Sequence, residues 1–156
     1  MLTIRIVAVG KDKDEWVSQG CTHFEKLLSR WARVDWQKVK PGAISSSLSP
    51  EQIMANEAEA LVRVLKGATF VALSDQGKRY DSQGFSQQLQ KWLVTFGSEI
   101  VFVIGGAYGL APEILTGAQV QLSLSPLTFS HQLVRLVLLE QLYRGFSILH
   151  NTGYHK

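Results

Sequence analysis

Cysteine is nearly absent from this chain of 156 residues, which has Cys21 alone, two methionines and four prolines. A single cysteine closes no intrachain disulfide and builds no multi-cysteine zinc site, so a disulfide scaffold is excluded and a reducing interior is the expected home. Long apolar runs are missing as well. Val101 to Ile104 and Leu136 to Leu139 are among the longest, far short of the roughly 20 residues a membrane span requires. Met1 to Gly10 is too short for a signal peptide and ends without a small-residue cleavage pattern, so no targeting segment is expected. Nor does one sign of charge dominate: 16 Lys and Arg against 13 Asp and Glu give +3, a weak electrostatic pull on naked nucleic acid. With 46% hydrophobic residues and no internal repeat, the chain is expected to form one domain over residues 1 to 156.

Apolar patterning places strands alternating with helices. Leu2 to Val9 is β-branched and apolar, stops at Gly10 and leads through Lys11-Asp12-Lys13-Asp14-Glu15 into a helix. On that helix Trp16, Val17, Phe24, Leu27, Leu28 and Trp31 recur at three- and four-residue spacings, predicting one buried face. Arg33 to Lys40 alternates as a partly exposed strand, and Pro41 to Ser49 reads as a loop. Ser49-Pro50-Glu51-Gln52 is a capping box with proline at the first helical position. Ile53, Met54, Ala58, Leu61, Val62 and Leu65 are the predicted buried side of that helix, which Gly67 can end. Thr69 to Leu73 predicts a strand that gives way to a turn at Ser74 to Lys78; Phe85 to Phe96 predicts a helix and Ile100 to Ile104 a strand. Gln121 to Leu124 predicts a last strand, and His131 to Leu149 a helix apolar around almost its whole circumference, which needs cover on more than one side. The alternation implies an α/β fold with a mostly parallel sheet flanked by helices and ligand sites beyond the strands' carboxyl ends.

Three turns follow predicted strands: Leu73 to Lys78, Gly105 to Leu110 and Ser123 to Phe129. Parallel strands bring all three to one edge, where glycines at 105, 106 and 109 let a ligand approach the backbone or simply make tight turns. Gly105-Gly106-Ala107-Tyr108-Gly109 is not the dinucleotide fingerprint, and no acid lies about twenty residues on. Residues 131 to 156 carry Arg135, Arg144 and Lys156 against Glu140 alone, with three of the four histidines, His131, His150 and His155. Arg135 and Arg144, nine residues apart, point roughly 180° from each other on a helix. Either Tyr154-His155-Lys156 is a frayed end, or it supplies an aromatic, an imidazole and an ammonium to a site. Cys21 reads as a small buried residue, His23 as a boundary residue without a metal-ligand partner, and Asp12, Asp14 and Glu15 as helix-start charges. The Lys11/Lys13 and Arg30/Arg33 pairs suit phosphate, although exposed faces carry such charges routinely.

Phe102-Val103-Ile104-Gly105-Gly106-Ala107-Tyr108-Gly109-Leu110, the run Leu122 to Arg135, Glu140-Gln141-Leu142-Tyr143-Arg144 and the terminal Tyr154-His155-Lys156 resemble the ribosomal RNA large subunit methyltransferase H family over the whole chain. The resemblance implies a SPOUT-class domain with a C-terminal trefoil knot, working as a homodimer without metal or membrane. It further implies methylation, from S-adenosylmethionine, of N3 of a pseudouridine in helix 69 of large-subunit (23S-type) ribosomal RNA on the assembled ribosome. The expected location is the cytoplasm, or an organelle matrix if a transit peptide has been removed. By position the cofactor residues are Leu73, Gly105, Leu124, Ser125, Pro126, Leu127, Thr128 and Phe129. His155 or His131 is expected to take the N3 proton, Tyr154 to stack on or orient the base, and Arg135, Arg144 and Lys156 to hold RNA phosphates. Ser74-Asp75 departs from a family pattern that often has an acid directly after the leucine, and leaves open whether Asp75 substitutes. A non-catalytic ribosome-binding relative and a nicotinamide-dependent oxidoreductase are the competing readings.

Overall fold

Leu2–Val9 forms the first strand, β1, in a computed structural model that describes residues 1–156. Its side chains alternate between two cores. Ile4, Ile6 and Ala8 enter one apolar cluster, whereas Val7 and Val9 enter the other, as a strand covered on both faces requires. The strand β4 (Glu99–Ile104) repeats the pattern, with Ile100, Phe102 and Ile104 on one side and Val101 and Val103 on the other. With β2 (Ala32–Val39), β3 (Val71–Arg79) and β5 (Val120–Ser123) these strands make one sheet in the order β2-β1-β4-β3-β5, every pairing parallel.

Helices α1 (Glu15–Leu28), α3 (Ser82–Phe96) and α5 (Leu133–Leu149) cover the first face, and α2 (Pro50–Leu65) and the short α4 (Pro112–Gly117) cover the second. The α2 capping box forms as its sequence predicts, Gln52 N–H donating to Ser49 Oγ and Ser49 N–H to Gln52 Oε1. α5 lies between α1 and α3, and none of its residues is fully exposed. Leu138, Leu139 and Leu142 are wholly buried, each such leucine contributing roughly 1.5–3 kcal/mol. Leu133, Val137 and Ile148 are only partly covered and fall outside both cores. No helix is long and apolar enough to cross a membrane.

The structure corrects several expectations. Trp16 and Val62, predicted on buried faces, are 59% and 58% exposed, because α1 and α2 lie flat on the sheet and turn only a narrow stripe inward. The predicted turn at Ser74 to Lys78 is strand. β3 runs on to Arg79 because it pairs with β5 twice, Leu73 and then Lys78 both facing Leu122 across a bulge. At Gly77 the strands approach so closely that a Cβ would stand 2.7 Å from the carbonyl of Gln121. The α4 helix is not anticipated, although Pro112 at its first turn with Glu113 after it is a start signal. α5 begins at Leu133, two residues later than predicted: Ser130 Oγ accepts the Leu133 N–H at the helix start, and Gln132 bonds the loop after β1.

Candidate active site

The three predicted turns meet at the carboxyl edge of the sheet and line a pocket of about 640 Å³, within the range of small-molecule sites. Leu73 to Gln76 form one wall, Gly105 to Leu110 a second, and the segment after β5 a third that includes Leu124, Ser125, Leu127, Thr128, Phe129 and His131. Of the residues expected to hold a cofactor, Pro126 alone does not line the pocket; it is exposed at the tip of the third loop.

Each wall is shaped by bonds of its own. Gly109 N–H donates to the Gly106 carbonyl, closing a turn in which Gly109 takes φ +83°. A Cβ on Gly105 would stand 2.6 Å from the carbonyl carbon of Gly109 and 2.9 Å from the amide nitrogen of Leu110, so glycine is required for the loop to fold back on itself. In the third wall Ser123 Oγ–H donates to the Ser125 carbonyl, and Leu127 N–H donates to Ser125 Oγ. From Leu124 to Phe129 no backbone group bonds another backbone group, so apart from the Ser125 carbonyl and the Leu127 N–H the segment's backbone groups have no partner within the chain. Thr128 Oγ1–H donates to Asp75 Oδ2 at 3.1 Å, tying the third wall to the first. Asp75 thus has a structural partner across the pocket, one residue beyond the position directly after Leu73.

His131 lines the pocket and is partly buried. Burial, together with the positive charges of Arg135 and Lys13, lowers its pKa below the usual histidine value, so the imidazole is neutral and able to accept a proton at pH 7. The next residue is locked to the loop after β1. Gln132 donates from Nε2 to the Lys11 carbonyl and accepts from Lys13 N–H, both at 3.0 Å.

Arg135 does not meet RNA at the surface, and this expectation is corrected. Its side chain is wholly buried, with Nη1 on Asp12 Oδ1 at 2.8 Å and Nη2 on the carbonyls of Val9 and Gly10 at 2.9 Å each. Asp12 is therefore the counter-ion of a buried guanidinium rather than a helix-start charge. Burial acts to raise its pKa, but hydrogen bonds from Lys38 and Arg135 outweigh it and hold the carboxyl below its ordinary value.

Arg144, Tyr154 and His155 form a cluster apart from this pocket. Tyr154 is ordered against α5, its ring 4.7 Å from that of Tyr143 and under the Arg144 guanidinium at 4.8 Å, with its hydroxyl donating to Glu140 at 3.0 Å. Arg144 bonds Glu140 as well and stands 3.1 Å from His155 Nδ1, so its charge is already engaged, while Lys156 is exposed. The tail is thus not frayed, and within one chain Tyr154 and His155 do not reach the pocket that His131 lines. Cys21 is buried and its thiol is pushed up to about 11 by burial and by nearby carboxylates, which removes it as a nucleophile.

Known proteins bear on this geometry. The family model described as "Predicted SPOUT methyltransferase" matches residues 2–155. A ribosomal RNA large subunit methyltransferase H of Desulforamulus reducens is 39% identical over 160 residues, covering 100% of both chains. The chain belongs to that family. A second member, from Acetivibrio thermocellus, is 39% identical and covers 99% of this chain and 100% of its own. Among solved structures, a probable methylase family protein from Haemophilus influenzae superposes with TM-score 0.61 at 14% identity, over 98% of this chain and 70% of that one. A probable methyltransferase from Bordetella pertussis gives TM-score 0.51 at 11% identity, over 91% and 95%. Both share the fold of this family member. The α/β architecture with a five-stranded parallel sheet is therefore that of the SPOUT methyltransferases.

Proposed function

We propose that the chain transfers a methyl group from S-adenosylmethionine to N3 of a pseudouridine in helix 69 of large-subunit ribosomal RNA on the assembled ribosome. The observation that carries this reading is the pocket made by the end of β3 and two backbone-rich loops, with backbone groups between Leu124 and Phe129 not bonded to other backbone and a histidine in its lining. Such a cradle suits adenosine, whose base is read by backbone donors and acceptors, and Gly105 lets the wall close upon it. S-adenosylmethionine, when bound, supplies a methyl group already activated on a sulfonium. What this chain must add is alignment for in-line attack and removal of the N3 proton. Leu73, Gly105, Leu124, Ser125, Leu127, Thr128 and Phe129 would hold the cofactor. His131, neutral and at the pocket, would receive the proton, with His155 the other candidate.

The same reading has two chains forming one site in the cytoplasm. Leu133, Val137 and Ile148 leave an apolar stripe of α5 half covered, which supports pairing with a second copy. Tyr154 and His155 sit on the later turns of that helix and would reach a neighbour's pocket rather than their own. The C-terminal trefoil knot belongs to this proposal too. Its support is that the segment after β5 turns in at Gln132 and Arg135 to bond the loop after β1, from which α5 continues between α1 and α3.

Calorimetry tests the cofactor assignment. The chain is expected to bind S-adenosylmethionine and not NADH, the latter being the mark of the competing oxidoreductase reading. Gly105→Ala is expected to lower S-adenosylmethionine affinity more than tenfold and to cost about 1–3 kcal/mol of stability, because its Cβ meets backbone. Unchanged affinity in the folded variant would misplace the site. If His131 is the proton acceptor, its lowered pKa puts the acidic limb of kcat/KM below the ordinary value of 6.5. A limb at or above that value, or one unmoved in His131→Gln, would assign the proton to another group.

A further inference from the structure

A second cavity, of about 740 Å³, opens beside the first, and Lys11, Lys13, Lys38 and Lys40 all line it. The sequence separates these lysines into two i,i+2 pairs, and the sheet brings the pairs together. β1 and β2 are parallel with Ala8 opposite Lys38 and Val9 opposite Val39, so residues 11 to 13 and residues 38 to 40 leave the sheet side by side. Lys11 and Lys13 precede α1 in a loop rather than lying on a helix face. Only Lys38 has an ion-pair partner, Asp12, which it shares with Arg135. The one carboxyl in the lining, Glu57, is buried and accepts Gly42 N–H at 2.8 Å. Burial raises its pKa, opposed by the bond from Gly42 N–H.

The backbone beneath this charge is fixed by the bonds of Gln132 and Arg135 to residues 9 to 13. The partition between the cavities is shared: Gly106, Ala107, Tyr108 and His131 line both. A substrate of the first pocket therefore has the second as its neighbour. Tyr108 is 46% exposed on that partition, an aromatic face free to stack. Cations from two strand ends next to an exposed aromatic match a sugar-phosphate backbone with a base beside it, more closely than they match one small anion.

We propose that this lysine-lined cavity is the binding site for the sugar-phosphate backbone flanking the target nucleotide, with Tyr108 stacking on a neighbouring base. This inference rests on the reading of the chain as an RNA methyltransferase, and its test separates the two. Wild type and the triple variant Lys11→Ala, Lys13→Ala, Lys40→Ala are compared for binding to purified ribosomes by co-sedimentation across a range of salt. Lys38 is left in place because it pairs with Asp12. The variant is expected to bind at least tenfold more weakly near 150 mM salt, with the slope of log K against log salt shallower by roughly two units, since each lost phosphate contact removes about 0.7–0.9. Its S-adenosylmethionine affinity by calorimetry is expected to be unchanged. Equal affinity and equal slope would overturn the proposal, as would a matching loss of S-adenosylmethionine binding, which would put the lysines in the cofactor site. Micromolar binding of inorganic phosphate, lost in the variant while ribosome binding persists, would overturn it in favour of a small anion. Because co-sedimentation reads binding and not transfer, a wild type that binds ribosomes through these lysines but moves no methyl group refutes the reaction and supports this site.

Discussion

Deleting Tyr154, His155 and Lys156 is expected to abolish methyl transfer, by a factor of about 10²–10⁴ if the tail supplies or orients the proton acceptor, while the fold survives. The structure explains the second half of this expectation. Tyr154 touches Tyr143, Arg144 and Glu140 and is 37% exposed, so its loss removes one ring contact, one cation–π contact and one hydrogen bond at the surface. Together these contribute roughly 1–3 kcal/mol, which in a domain of this size lowers Tm by about 2–10 °C. S-adenosylmethionine affinity should be unchanged, because no tail residue lines the three-loop pocket. In the two-chain reading the tail acts on the partner's pocket, and sedimentation should show a dimer at micromolar concentration. Transfer at the full rate would make the tail a terminus packed on α5 and nothing more. Unfolding, or loss of cofactor binding, would make it a structural element.

Arg135→Met is expected to cost the most stability of any single change on α5. The substitution leaves the buried carbonyls of Val9 and Gly10 without the guanidinium, and leaves Asp12, whose side chain is 28% exposed, with Lys38 as its remaining partner. Breaking a buried pair in this way costs about 3–5 kcal/mol, on the order of 10 °C in Tm. Acid should act on the same contact. The Asp12 pKa is lower in the folded chain than in the unfolded one, so its contribution is fully present above the unfolded value of 3.8 and disappears as pH falls through the folded value. Asp12→Asn should therefore be less stable than wild type at pH 7 and should lose less on acidification. Thermal melts between pH 3 and pH 7 would check both, and an Arg135→Met chain melting within about 2 °C of wild type would contradict them.

Arg135 marks the limit of what local sequence carries. Ile4, Ile6 and Ala8 against Val7 and Val9, and the cap at Ser49, are legible because their causes lie within a few residues. The convergence of the three pocket walls is legible for the same reason, since each follows an apolar run and parallel pairing gathers them, although the first is strand rather than turn. Arg135 is not legible: its partners, at positions 9, 10 and 12, are more than 120 residues away, and a helix pattern alone gives an arginine no reason to be buried. Glu57 is hidden likewise, buried on α2 because the Gly42 amide and the Gly106 turn close over it. Residues 74 to 79 carry turn composition yet are strand, because long-range pairing with β5 overrides local preference. Lys11 and Lys13 read as an exposed pair, and only the β1–β2 register sets Lys38 and Lys40 beside them.

Transfer of a labelled methyl group from S-adenosylmethionine to ribosomes, followed by digestion of the ribosomal RNA and mass spectrometry of its nucleosides, tests the central claim most directly. The predicted result is one new methyl group per large subunit, on N3 of a pseudouridine in helix 69, formed on assembled ribosomes and absent with Gly105→Ala or the tail-deleted chain. A methyl group on another nucleotide or on ribosomal protein, or none at all from a chain that binds S-adenosylmethionine, would contradict it.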